Sequence, residues 1–418
     1  MLKQIEGSQA VAQAIALCRP EVVCAYPITP QTHIVEGVGA LVKSGDLKNC
    51  EFINVESEFA ALSVAIGASA AGARAYTATA SQGLLFMAEA VYNAAGLGLP
   101  IVMTVGNRAI GAPINIWNDH SDSMAVRDSG WIQLYAETNQ EALDLHIQAF
   151  RLAEELSCPV MVCMDGFILT HAYERVEMPT QDEVDAFLPP FEPVQVLDPA
   201  DPYSIGAMVG PDAFTEVRYL AHEKQLQALR LIPTISGVFK EVFGRETGGL
   251  IHTYRTDGAE TIVVALGSVN GTIKETVDKM REEGAAIGAV SICSFRPFPL
   301  DELRAVLEQA KRVVVLEKAF AVGLGGIVAA DVQMALRGSP VPVHTVIAGL
   351  GGRPITMRVL QELFEAAAQD RLPDAQFLDL DHAAVEHELI RAIATRRSGP
   401  TAENILKAMG RGQVAAGD

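Results

Sequence analysis

Four stretches of this 418-residue chain are apolar almost without interruption: VVCA from Val22, IVMTV from Ile101, PVMVCM from Pro159 and VVVL from Val313. A strand with one face in water alternates polar and apolar residues, whereas a strand covered on both faces does not. Segments of helical character separate these runs, among them TPQTHIVEGVGALVKSG, SEFAALSVAIGASAAGA and SQGLLFMAEAVYNAAG. Fully apolar strands alternating with helices predict an α/β fold, a doubly wound parallel sheet with helices on both sides. The second helix is built largely of Ala, Ser and Gly and is expected to pack closely on its neighbours.

The alternation stops near Val184, where VDAFLPPFEPVQVLDPADPYSIGAMVGPDAF is dense in proline and reads as an extended connection. It resumes near Ala259 with TIVVALGS, a helix, AIGAVSI and RVVVLEK. The expected organisation is a first domain over residues 1–245 with the connection at about 184–214. A second, smaller α/β domain covers 255–370, and a helical C-terminal extension covers 371–418. The helix-rich piece HEKQLQALRLIPTISGVFKEVFG is expected to pack back on the first domain, and the N-terminal MLKQIEGSQAVAQAIALCRPE reads as an amphipathic helix rather than a signal peptide.

A formal charge of −19 argues against a nucleic-acid or anionic-membrane surface, since phosphates are bound by clustered Lys and Arg. No stretch reads as a bilayer span, so cytoplasm is the default. The six cysteines, Cys18, Cys24, Cys50, Cys158, Cys163 and Cys293, include no C-x-x-C pair, so iron–sulfur and zinc ligand spacing is missing. There is also no G-x-x-x-x-G-K-[ST] phosphate loop. GLGGIV from Gly323 and GLGGRP from Gly349 lack the third small residue of a dinucleotide fingerprint and read as turns that bring backbones close. NDHSD, residues 118–122, reads as a polar loop rather than a metal site or a catalytic triad.

Three positions fall at strand ends, where ligands of parallel sheets gather. Glu58 stands where EFINV hands over to the small-residue helix and is expected to be partly desolvated, although capping of that helix by Glu56 or Glu58 would also account for it. Arg108 follows IVMTVGN, and its guanidinium fork suits a carboxylate or a structural ion pair. Thr29 closes VVCAYPITP between Pro27 and Pro30, which stiffen the turn that presents its hydroxyl. An acid, an arginine and a hydroxyl at neighbouring strand ends describe a small anionic substrate beside a group that needs a proton moved.

The long motifs AYPITPQTHIVE, VESEFAALSVAIGASAAGARAYTATASQGLLFMAEAVYNAAG, NRAIGAPINIWNDHSDSMAVRDSGWIQLYAE and VCMDGF together resemble the α subunit of the pyruvate:ferredoxin oxidoreductase (pyruvate synthase) family. SFRPFP, EK with GLGG, and AGLGGR extend the resemblance into the second domain. It implies a thiamine diphosphate-binding, pyrimidine-type first domain and a transketolase C-terminal-like second domain. It implies further that Glu58 hydrogen-bonds N1′ of the aminopyrimidine, favouring the imino tautomer that takes the C2 proton of the thiazolium. Thr29 and Arg108 match residues that bind the substrate carboxylate, and Pro27 and Ile28 match residues lining the cofactor pocket.

The implied reaction is reversible oxidative decarboxylation of pyruvate with coenzyme A to acetyl-CoA, with electrons passing to ferredoxin. In the family a β subunit holds the diphosphate, Mg2+ and a [4Fe-4S] cluster, with γ and ferredoxin-like δ subunits completing a dimer of heteromers. No G-D-G with a downstream Asn occurs here, which matches that division and leaves this chain ligating no metal. Branched-chain 2-oxoacid (2-ketoisovalerate) enzymes share much of the pattern. A non-catalytic assembly scaffold and a self-sufficient transketolase-like enzyme are the remaining alternatives.

Overall fold

In the computed structural model, which describes residues 1–394 and 401–410, the apolar runs are the inner strands of two sheets. The first has seven strands in the order Ser294–Arg296, Ile132–Tyr135, Val160–Asp165, Ile101–Asn107, Ala75–Thr79, Val22–Ala25 and Glu51–Asn54. All pair in parallel except the short edge strand Ser294–Arg296. Every residue of Ile101–Asn107 and Val160–Asp165 is buried, as strands covered on both faces require. The second sheet runs Ala375–Phe377, Val343–Ile347, Arg312–Glu317, Thr261–Ala265, Ile287–Ile292 and Ile251–Tyr254, with the last strand antiparallel to its neighbour.

Small side chains let helix Glu58–Ala70 lie directly on the first sheet, burying Ala61, Leu62, Ala65 and Ser69. On the other face, helix Asn139–Leu156 is buried along most of its length, and its charges are paired: Asp144 with Arg245 at 2.6 Å, and Glu154 with Arg74 at 2.6 Å. Helix Phe214–Phe243 packs against it through Ala228, Ile232, Ile235, Phe239 and Phe243, a spacing of three and four that puts all five on one stripe. The N-terminal half of this helix, up to Gln227, contributes no buried residue to the core.

Three features differ from the expectations. The N-terminal stretch begins as a strand, Leu2–Glu6, paired antiparallel with Tyr173–Glu177, and only then becomes the helix Gly7–Leu17. The stretch after residue 370, expected to be helical, first supplies the edge strand Ala375–Phe377. The two α/β layers are also fused into one compact unit, Met1–Gln376, because Ser294–Arg296 leaves the second layer to pair with Ile132–Tyr135 of the first. The described residues from Phe377 onward form a separate unit containing the helices His382–Ala394 and Thr401–Ala408. The rest of the expected extension, 395–400 and 411–418, lies outside the described residues. No helix among the described residues is long and apolar enough to cross a membrane.

Candidate active site

The parallel strands of the first sheet end together, and the turns beyond them bring the predicted residues to one edge. After Val22–Ala25 the chain turns through Tyr26, Pro27, Ile28, Thr29 and Pro30. Gln31, wholly buried, staples that turn to the next strand by donating its side-chain amide to the carbonyls of Tyr26 at 2.9 Å and Ala78 at 3.1 Å. Pro27 and Thr29 are exposed and Ile28 is half-buried. Arg108 reaches the same turn: its Nη1 donates to the Thr29 carbonyl at 2.8 Å and its Nε to the Asn115 carbonyl at 3.2 Å. Among the described residues nothing engages its Nη2 or the Thr29 hydroxyl, so both remain available to an anion. Burial draws the Arg108 guanidinium below its ordinary pKa, and the Asp122 carboxylate opposes that.

Glu58 opens helix Glu58–Ala70, but it does not cap it. The cap is Ser57, whose hydroxyl accepts the Ala60 N–H at 3.2 Å, so neither Glu56 nor Glu58 is needed for that task. The Glu58 side chain is only 8% exposed, yet no donor among the described residues hydrogen-bonds its carboxylate. Gly83 lies against it: a Cβ there would stand 2.8 Å from Glu58 Oε1 and 2.6 Å from Thr79 Oγ1. The Thr79 hydroxyl is itself buried without a partner. The Glu58 carboxylate has no partner among the described residues but is not sealed from solvent, whereas the Thr79 hydroxyl beside it is buried, and both face a position kept free of a side chain. They fit a polar, flat ring that presents nitrogen donors and acceptors, as an aminopyrimidine does.

Sequence reasoning missed the node that joins these parts. NDHSD is not a solvated loop: Asn118, Asp119, His120 and Asp122 are all buried. Asp119 accepts the Gly351 N–H at 3.1 Å, and Asn115 donates to the Gly351 carbonyl at 3.1 Å, so the GLGGRP turn of the second layer is clamped to the loop after Arg108. His120 meets Asp165 at 2.7 Å, and Asp165 also accepts from Lys318 at 2.9 Å. Burial alone would raise the Asp165 carboxyl, but the Lys318 ammonium and His120 hold it well below the usual carboxylate range. Only the density of polar residues between two apolar segments hinted at this node.

Two mixed groups of side chains have metal-ligand reach among the described residues: Glu6, His33 and His171, and Glu141, His252 and Cys293. Neither includes a predicted site residue. In each, a histidine is already hydrogen-bonded to the glutamate, His33 to Glu6 at 2.6 Å and His252 to Glu141 at 3.1 Å.

Residues 13–235 match the family described as pyruvate flavodoxin/ferredoxin oxidoreductase, thiamine diP-bdg, and residues 259–360 match pyruvate:ferredoxin oxidoreductase core domain II. A protein of Methanosarcina barkeri named pyruvate synthase subunit PorA is 49% identical over 385 residues, 90% of this chain and 96% of that protein. A Pyrococcus horikoshii protein named ketoisovalerate oxidoreductase subunit VorA is 41% identical over 366 residues, 87% and 93% of the two chains. Among solved structures, a 2-oxoglutarate:ferredoxin oxidoreductase from Magnetococcus marinus aligns with TM-score 0.66 at 20% identity, over 87% of this chain and 65% of that one. A split-gene transketolase aligns with TM-score 0.53 at 15% identity, over 88% and 99%. At those identities the structures establish a shared fold and nothing more.

Proposed function

This chain belongs to the pyruvate flavodoxin/ferredoxin oxidoreductase family, and on that footing we propose that it is the α-type subunit of a cytoplasmic pyruvate synthase. The reaction is oxidative decarboxylation of pyruvate with coenzyme A to acetyl-CoA and CO2, with electrons passed to ferredoxin, and it is reversible. The single observation that carries the assignment of the site is the unsatisfied Glu58 carboxylate beside Gly83.

When bound, thiamine diphosphate supplies the nucleophilic carbon and the electron sink for decarboxylation. Glu58, whose carboxylate no described residue engages, would hydrogen-bond N1′ of the pyrimidine and share a proton with it. Thr79 offers a second polar contact on the same side. Arg108, through its unused Nη2, and Thr29, through its hydroxyl, grip the substrate carboxylate and fix the direction in which it leaves. Pro27 and Ile28 line the cofactor side of the same turn.

The site as this chain builds it is half a site. It is rimmed by apolar side chains that stand in water, Phe86 at 61%, Trp117 at 53% and Ile114 at 79% exposure, together with Phe59, which packs on Phe86. Patches of that kind mark subunit contacts. A β subunit carrying the diphosphate, Mg2+ and a [4Fe-4S] cluster closes over this rim, and γ and ferredoxin-like δ subunits relay electrons to external ferredoxin. Residues 1–245 and 255–370 serve as the pyrimidine-binding and transketolase C-terminal-like parts.

The test is turnover of the chain purified with its partner subunits. Pyruvate should reduce a viologen dye in a coenzyme A-dependent way, and the chain alone should reduce none. Pyruvate should exceed 2-ketoisovalerate in kcat/KM by about tenfold or more, which one or two methyl contacts can supply. A preference for 2-ketoisovalerate would move the assignment to the branched-chain enzymes. Assembly without turnover of either acid would leave the scaffold reading.

A further inference from the structure

Asp122 is wholly buried and has no part in the chemistry above. Its Oδ2 accepts two backbone N–H groups, from Ser81 at 2.9 Å and from Arg108 at 3.0 Å. Its Oδ1 accepts the Ser123 N–H at 2.8 Å and the Asn107 side-chain amide at 2.8 Å. Two of those donors sit at the roots of the site. Ser81 is held at φ +50°, a left-handed conformation that residues with a Cβ seldom adopt. Helix Ser81–Phe86 starts there and sets its third residue, Gly83, against Glu58. Arg108 is the first residue beyond strand Ile101–Asn107, and the direction of its amide fixes where its side chain departs.

We propose that Asp122 is a positioning residue for the reaction, one carboxylate oxygen that locks the Ser81 turn and the Arg108 backbone together and so sets the spacing between the cofactor half and the substrate half of the site. The inference rests on the reading of Arg108 as the partner of the substrate carboxylate and of Glu58 as the partner of the pyrimidine. An amide cannot replace this carboxylate. Asn has one acceptor oxygen, and its NH2 must face donors that it repels, whether those of Ser81 and Arg108 or those of Ser123 and Asn107.

The experiment compares Asp122→Asn, Arg108→Ala and the double variant as assembled complexes with their partner subunits. Asp122→Asn should raise KM for pyruvate about tenfold while kcat falls less, a split that general loss of folded enzyme does not produce. In KM for pyruvate the double variant should be no worse than Arg108→Ala alone, because the effect of Asp122 on substrate binding runs through the Arg108 side chain. An unchanged KM in Asp122→Asn, with KM raised in Arg108→Ala, overturns the inference and leaves the function standing. An unchanged KM in Arg108→Ala overturns the underlying reading instead. If Asp122→Asn does not assemble, Asn107→Ser decides on the assembled complex: it removes one donor to Asp122 and should raise KM severalfold, whereas an unchanged KM refutes the proposal.

Discussion

Two buried glutamates, one in each α/β layer, stand just where a strand hands over to the next segment, and they are treated in opposite ways. Glu317 ends strand Arg312–Glu317, is 2% exposed, and accepts the backbone N–H groups of Ile327 and Val328 at 2.8 Å and of Ala329 at 3.2 Å. It is the acceptor that satisfies the N-terminus of helix Val328–Ala335, and GLGGIV is the turn that carries those amides to it. Glu58 is almost as buried and accepts nothing from the described residues, because Ser57 has already taken the capping role. The difference is between a carboxylate that the backbone engages and one left free, as the proposed ligand role of Glu58 requires. A carboxylate that accepts three backbone amides completes the fold, whereas one that no described residue engages keeps its oxygens free for a ligand.

Alanine at the two positions gives the largest contrast. Glu317→Ala leaves three buried amides without an acceptor and should destabilise the chain by about 3 kcal/mol or more in denaturant unfolding. Glu58→Ala should leave the same unfolding curve nearly unchanged, since its carboxylate makes no hydrogen bond to any described residue that the substitution would break. Equal losses at both positions would erase the distinction.

A smaller effect is expected from Gly83→Ala, whose new Cβ must push Glu58 or Thr79 aside. Pyruvate turnover of the assembled complex should fall about tenfold, the scale of a misplacement by a fraction of an ångström. Wild-type turnover in this variant would mean that the position of Glu58 is not critical.

The smallest effect is a pH slope. Burial pushes the Glu317 carboxyl up from about 4.5 to about 7, against the pull of its three amide donors. Between those values the folded chain keeps a proton that the unfolded chain has lost, so the Glu317 contribution to stability is full below about pH 4.5 and is lost as pH rises towards 7. The Glu317→Gln variant, titrated by thermal unfolding alongside wild type, should lack that slope. Parallel curves for the two proteins would refute it.

Much of the fold was legible because burial on both faces leaves a signature that needs no partner to read: IVMTV and PVMVCM are inner strands wherever they are placed. The three-residue strand Ser294–Arg296 was not legible, since it carries too few residues for any period and its antiparallel pairing depends on a distant edge. Glu58, Arg108 and Thr29 stood out as unusual chemistry at the ends of apolar strands, which a parallel topology then gathers at one edge. Asp122 did not stand out. An aspartate in a polar run reads as solvated, and only the fold reveals that the run is turned inward beneath the GLGGRP turn of the second layer. The cap at Ser57 was equally hidden among three candidate acceptors in the run ESE, where the backbone conformation decides.

The central claim, that Glu58 acts on a pyrimidine ring held at this edge, is tested most directly by Glu58→Gln in the assembled complex. Pyruvate turnover and the amount of thiamine diphosphate retained would be measured on the same sample. Gln keeps the size of the side chain but cannot hold a proton in the same way, so turnover should fall by about a hundredfold or more while most of the cofactor stays bound. Wild-type turnover at normal cofactor content would contradict the account.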